Sequence, residues 1–516
     1  MKAHLFFRNR DFDVERPLPW NAQALTQDLE LGVLFSAMSR GDKYLYEIAG
    51  KAVLSSETDQ ETLRYRQAIL RDCLSHQEIV RAIYDMVVEA SEGYRRHFWL
   101  GRSASSTLWG GVGMLEFFVD MLRKLRGYAD QYGNRFASDG LRSLFAMLRD
   151  ELSDPYFLEV EAHLRQLKFR DGVLISAQLA DGNKGIDYVL RRPKGSPRHW
   201  LERLFVPGPE EYTYQLHPRD DAGARALSTL RDRGVNLVAN AAAQSADHIL
   251  SFLRLLRAEL GFYVGCLNLH ADLSARGRPA CFPEPIPIEE RVHAFRELYD
   301  VALALTISQD VVGNELDARG NDVAVITGAN RGGKSVFLRS IGLAQLMTQC
   351  GMFVGAESFT ANVSSAVFTH FKREEDRTME SGKFDEELTR ISDIADRIKP
   401  NALMLFNESF AATNDREGSE IARQIVSALL EKRIKVFFVT HLTDFSQTLF
   451  EQRIGCPKFL RAERLDDGRR TYKLVEAEPL ETSYGADLYR QIFLTSSAQY
   501  RSSGEGESDR RETRAR

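Results

Sequence analysis

Eight residues constrain this chain more than any others: GANRGGKS, positions 328–335. They follow the apolar run VAVIT and precede SVFLRSIGLAQLM, whose apolar residues recur at helical spacing. Strand, G-x-x-x-x-G-K-[ST] loop, then helix is the context that gives this pattern a mechanism. Gly328, Gly332 and Gly333 let backbone N–H groups close around phosphate oxygens, and the helix N-terminus adds its positive end. Lys334 is spaced to reach β- and γ-phosphates, and the Ser335 hydroxyl to ligate Mg²⁺. Gly328, Ala329, Asn330, Arg331, Gly332, Gly333, Lys334, Ser335 and Val336 therefore form the candidate phosphate-binding segment, and ATP with Mg²⁺ are the cofactors it implies. A chance glycine-rich turn is the plainer alternative, and the flanking strand and helix weigh against it.

The neighbourhood agrees in kind. After the proline-rich RGRPACFPEPIPIEER (276–291), apolar strands alternate with helical patterns: VAVIT, SVFLRSIGLAQLM, ALMLF, GSEIARQIVSALLEKR, KVFFVTH. Such runs predict a buried, mainly parallel sheet of α/β type. ALMLF runs into Asn407 and Glu408, where ATP-hydrolysing folds usually carry two acids. Glu408 is the candidate to activate water, although an acid at a strand's end also serves to cap the following turn. Asn407 keeps an acceptor oxygen for Mg²⁺-bound water but lacks the charge of an aspartate. His441, after KVFFVT, can sense a phosphate or polarise water; a lone histidine there is otherwise structural. Residues 379–399 read as a helix with Phe384, Leu388, Ile391, Ala395 and Ile398 on one face. Ser381, at its start, is either an N-cap or a contact for a second phosphate group.

The first half reads as helical. Met114, Phe118, Leu122 and Leu125 form one apolar stripe; Leu141, Leu144, Phe145, Leu148 and Leu152 form another; Ile249, Phe252, Leu253, Leu256 and Leu260 form a third. Core packing between helices accounts for all three. Between the second and third, GVLISAQLADGNKGIDYVLRRPKG predicts a β-hairpin near 170–195. Its Lys184, Arg191, Arg192 and Lys194 suit a solvated face or a phosphate-contacting tip. The tail from 496 to 516 has little to bury and is expected to be disordered. Five dispersed cysteines without a Cys-x-x-Cys pair argue for reduced thiols and against a structural metal. A net charge of −5 confines any nucleic-acid contact to local patches, and no apolar run suits a membrane span or signal segment.

ITGANRGGKS, ESGKF, LMLFNES followed by FAATNDREG, and VTH, in this order and spacing, resemble the ATPase domain of the MutS family of DNA mismatch-repair proteins. VVGNEL (311–316) resembles that family's nucleotide-base segment, which implies that Asn314 lies near the adenine. The resemblance is dense over about 270–450 and looser over DLELGVLFSAM and the helical half. It implies a helical core and lever domain (1–275) followed by an α/β P-loop NTPase domain of ABC type (276–495). It also implies a homodimer formed through that ATPase domain, with two composite sites. Each would join one subunit's Gly333, Lys334, Ser335, Glu408 and His441 to the other's Ser381, with Thr413, Asn414 and Asp415 across the interface. The implied partner is duplex or branched DNA read with low sequence specificity, in a cytoplasmic, nucleoid-associated protein. The core-like segment begins near residue 25, leaving no room for the family's mismatch-reading and connector domains. The triplet Phe295-Arg296-Glu297, in an apparent helix, does not replace the mismatch wedge. Neither a Smr-type nuclease segment nor the Leu-Ser-Gly-Gly-Gln signature of transporter motors is present. A nucleotide-locked clamp with negligible hydrolysis is the competing expectation, and Asn407 is its motive.

Overall fold

A computed structural model of the chain describes residues 1–97, 103–170, 172–191, 212–373, 382–465 and 469–479. The expected disorder of the tail and the expected contacts of Arg192, Lys194 and Ser381 fall outside these residues. Two compact units emerge, and they interleave along the chain. One comprises 1–5, 9–12 and 76–260; the other comprises 6–8, 13–75 and 261 onward. A single division near residue 276 therefore does not describe the packing, because the helices between 22 and 75 group with the sheets. These helices are amphipathic like those of the helical unit, so their apolar spacing carries no mark of the surface they cover.

The helical unit contains Gln77–His97, Ala104–Tyr132, Asp139–Glu151, Asp154–Leu167 and the helix Asp221–Ala275 as far as residue 260. Phe118, Leu122, Leu144, Leu148, Leu253 and Leu256 are all buried. The fully buried carboxylate of Glu259 accepts hydrogen bonds from the Leu5 (2.6 Å) and Phe12 (3.0 Å) amides, which supply the partners a buried charge requires. Strands β1 (Leu174–Leu179) and β2 (Gly185–Arg191) pair antiparallel across a turn in which Gly182 has φ of 73°. Ile175 packs against Gly234 of the long helix, and the Arg233 guanidinium lies over the Tyr188 ring.

The other unit carries two sheets. Strands β3 (Glu284–Ile286), β4 (His293–Leu298), β5 (Asn314–Asp317) and β7 (Ser358–Asn362) form a mixed sheet in the order β3-β7-β4-β5. The triplet at 295–297 thus sits in a strand, not a helix. His293 and Phe295 point inward at a period of two, and Phe295 stacks on Phe359 at 5.9 Å. The larger sheet has β6 (Val323–Gly328), β8 (Val367–Phe371), β9 (Leu403–Asn407), β10 (Lys435–Val439), β11 (Lys458–Arg464) and β12 (Arg470–Glu476). Its order is β12-β11-β6-β10-β9-β8, parallel throughout except for the antiparallel β12 edge. Strands β6, β8 and β10 are buried along their whole length, as in a sheet covered on both faces. Phe406, Phe410, Phe438 and Phe445 cluster in the core beside it, Phe406 stacked on Phe438. No helix among the described residues is long and apolar enough to cross a membrane.

Candidate nucleotide site

Parallel strands all end on one edge, and side chains just beyond neighbouring strands converge there. Here β6, β10 and β9 lie side by side, and their C-terminal ends lead into the 328–335 loop, His441 and Glu408. Gly328 and Gly333 hold φ of 109° and 87°, a region that glycine enters without strain. A Cβ at Gly332 would meet the Ala462 Cβ at 2.7 Å and the Ala329 carbonyl at 2.8 Å, so β11 enforces a bare backbone. Gly333 caps the helix Lys334–Cys350, whose first N–H groups face the loop.

The Lys334 ammonium donates to the Gly328 (2.9 Å) and Ala329 (3.0 Å) carbonyls and is 4% exposed. Burial lowers its pKa to about 8, the nearby Glu408 opposing that shift and Arg470 adding to it. The Ser335 hydroxyl donates to Asn407 Oδ1 at 2.9 Å, which links the loop to the end of β9. His441 Nε2 and Glu408 Oε1 lie 3.2 Å apart. Chiefly through that hydrogen bond, and with help from Lys334 and Lys372, the Glu408 carboxyl is held below its ordinary pKa despite partial burial. Glu408 has φ of 53°, a left-handed conformation uncommon outside glycine, and its N–H donates to the Val439 carbonyl. A cavity of about 390 Å³ is lined by Lys334, Ser335 and Glu408 together with the apolar Ile307 and Val311. Two oxygens at a hydrogen-bonding distance, from a hydroxyl and a carboxamide, fit the preference of Mg²⁺ for hard oxygen donors with water between.

Parts of this chain match known proteins. The family model for the MutS2 N-terminal domain matches residues 58–276, and that for MutS domain V matches 324–499. The chain is 30% identical over 204 residues to the endonuclease MutS2 of Thermus thermophilus, a match covering 39% of this chain and 27% of that protein. It is 27% identical over 222 residues to the DNA mismatch repair protein MutS of Chloroflexus aurantiacus (42% of this chain, 23% of that protein). Over 163 residues it is 28% identical to the MutS protein homolog 4 of Mus musculus (32% of this chain, 16% of that protein). This chain belongs to the MutS family. It spans well under half the length of these relatives.

Other expected positions of the MutS-family site fare unevenly. Asn314 lines the cavity, yet its side chain is committed to β12: Oδ1 accepts from Leu474 N at 2.7 Å, and Nδ2 donates to the Tyr472 carbonyl at 3.3 Å. Its visible work is to join β5 to β12. Asn330 and Arg331 are exposed, Arg331 with φ of 59°, and Val336 lines the cavity. Asn414 caps the helix Asp415–Glu431, accepting from Glu417 N at 3.0 Å, and Thr413 donates to the Glu417 carboxylate. Asp415 accepts from the Thr443 hydroxyl at 3.2 Å. Residues that the sequence did not single out also gather here: His370, Glu387, Ser409 and Phe410, directly behind Glu408. Tyr472 is another, facing Gly333 from β12. A clue lay in Glu387, an acid among the apolar positions of its helix.

Proposed function

We propose that this MutS-family chain is a P-loop ATPase of ABC type that couples nucleotide binding and hydrolysis to holding DNA. The observation that carries the reading is the convergence of Lys334, Ser335, Asn407, Glu408 and His441 beside one cavity at the ends of β6, β9 and β10. Residues 328–336 would wrap the phosphates of ATP, with the Lys334 ammonium exchanging its carbonyl partners for β- and γ-phosphate oxygens. Mg²⁺ would be held by Ser335 directly and by Asn407 through water, and would neutralise phosphate charge. Glu408, ionised at neutral pH, accepts a proton from the attacking water, and His441 fixes the carboxylate's orientation. The base would sit against the apolar part of the lining, Ile307 and Val311. Residues 276–495 act in this reading as the catalytic module and 1–275 as the DNA-engaging part, working as a homodimer through the catalytic modules with Ser381 of one subunit at the other's phosphate. What the printed names of the relatives say of mismatch repair supports a role in DNA maintenance for this chain.

The test is ATP turnover by the purified chain, with and without duplex and four-way-junction DNA, beside the Glu408→Gln variant. Turnover by the parent chain and its loss in the variant are expected; no turnover under any condition would sink the enzymatic reading. A second reading has one observation in its favour: Asn407 supplies an amide where a second acid is usual. In it, ATP locks a clamp without being consumed. ATP-dependent DNA retention without phosphate release would favour that version.

A further inference from the structure

Two left-handed residues stand within three positions of each other: Glu408 (φ 53°) and Phe410 (φ 64°). Neither is glycine, so the surroundings must hold this turn in place. Between them, Ser409 is fully buried, and its hydroxyl lies 2.7 Å from His370 Nδ1 and 2.6 Å from the His370 carbonyl. His370 Nε2 lies 3.1 Å from the Glu387 carbonyl in the helix Lys383–Ala395. A carbonyl can only accept, so Nε2 carries a proton. Burial lowers the His370 pKa to about 3, so the ring is neutral and Nδ1 is an acceptor. The Ser409 hydroxyl therefore has two acceptors on one residue and donates to either. The Glu387 carboxylate, 6% exposed, accepts from the Phe410 amide at 3.0 Å. The fully buried Phe410 ring lies on the His370 ring, 5.6 Å between centroids and 18° from parallel. On the far side, Gly418 admits the Phe410 carbonyl where a Cβ would stand 2.4 Å from it.

We propose that His370, Ser409 and Glu387 form a buried brace that sets the left-handed turn presenting Glu408, so that the helix Lys383–Ala395 and the water-activating carboxylate move as one body. The inference rests on the ATPase reading above for its kinetic consequence and on the geometry alone for its structural one. These are positioning residues, since none of the three lines the cavity. Each acts through the two residues that follow Glu408, Ser409 and Phe410.

The decisive comparison sets Glu387→Ala against Glu387→Gln in the full chain. A glutamine can still accept from the Phe410 amide; an alanine cannot. With alanine, kcat should fall ~10- to 100-fold, the scale of an ångström-sized misplacement, and ATP affinity should stay within about threefold. Glutamine should recover most of the loss. Ser409→Ala, a smaller change, should repeat the pattern in weaker form and serves if Glu387→Ala does not fold. Amide exchange is the second readout: residues 408–412 should exchange faster in Glu387→Ala while the strands of the sheet stay protected. Equal losses in alanine and glutamine variants, parallel loss of ATP binding, or unchanged exchange at 408–412 would overturn the brace. If the parent chain shows no turnover, the ATPase reading fails, and the exchange result alone then decides for or against the brace.

Discussion

The helical unit and the sheet-bearing unit solve different problems with the same residue alphabet. In the helical unit, periodic apolar stripes meet one another, and Phe118, Leu122, Leu144, Leu148, Leu253 and Leu256 are buried between them. In the sheet-bearing unit, Lys334, His370, Glu387, Glu408 and Lys435 are all displaced, and left-handed non-glycine residues stand at 331, 408, 410 and 472. The difference shows what repetition and convergence each cost. A helix stripe buries area and leaves the backbone in its preferred wells. Strand ends that deliver several polar groups to one point do so here with the buried Lys334 and with left-handed residues at 331, 408, 410 and 472, whereas the left-handed residues of the helical unit, His4, Phe169 and Asp187, lie outside its helices.

The largest expected effect tests that division directly. Glu408→Gln should lower ATP turnover ~10²- to 10⁴-fold, the usual worth of a positioned general base, with little change in thermal midpoint. Phe118→Ala in the helical unit should do the reverse. It empties a fully buried site and should cost about 3–5 kcal/mol of stability, while turnover per folded molecule is preserved. If Phe118→Ala abolished turnover in a folded chain, the two units would not be separable in function, and the comparison would fail.

Next in size is the pH dependence set by Lys334. Burial lowers its pKa to about 8, so the free protein carries a neutral amine above that pH. Phosphate binding favours the ammonium. ATP affinity should therefore be flat below about pH 8 and fall above it, by up to about tenfold per pH unit, in calorimetric titrations. Lys334→Ala should bind weakly at every pH and lose this slope. Folding stability moves the other way: the unfolded chain holds more protons on this lysine between pH 8 and its ordinary value, so the burial penalty is fully present below 8 and is relieved as pH rises. A parallel slope in the alanine variant would assign the effect to another group.

How much of this was legible beforehand follows from the same contrast. The apolar runs of β6, β9 and β10 and the 328–335 loop are local, and the chain spells them out. So are the helical stripes, each of which landed in a helix core. Strands β11 and β12 mix charges among apolar residues (KFLRAER, RTYKLVE), and β3 to β5 run three to six residues, so neither period nor length marked them. The brace behind Glu408 was out of reach because His370 and Ser409 stand 39 positions apart and meet only once β8 and β9 pair. At Asn314 the sequence pointed to the cavity it lines, but not to the strand pairing that holds its amide.

The smallest effect concerns Asn407, and it decides how far the site departs from one with two acids. Asn407→Asp keeps the acceptor for the Ser335 hydroxyl and adds one negative charge near where Mg²⁺ would sit. Ser335 is exposed and Asn407 only half-buried, so the local medium is close to water. One negative charge and a dication about 4 Å apart then attract by about 2 kcal/mol, at most about thirtyfold in the Mg²⁺ concentration for half-maximal turnover. An opposing influence comes from Glu408, one residue away, which the new carboxylate would repel before the metal arrives. With a dication bound, attraction exceeds that repulsion, so half-saturation should move to lower Mg²⁺. At saturating Mg²⁺, turnover should change by less than about threefold, because the base is untouched. A magnesium titration of both chains separates the possibilities. If Asn407→Asp instead raised turnover a hundredfold at saturation, the amide would be a brake on chemistry, and the nucleotide-locked clamp would become the better account of the natural chain.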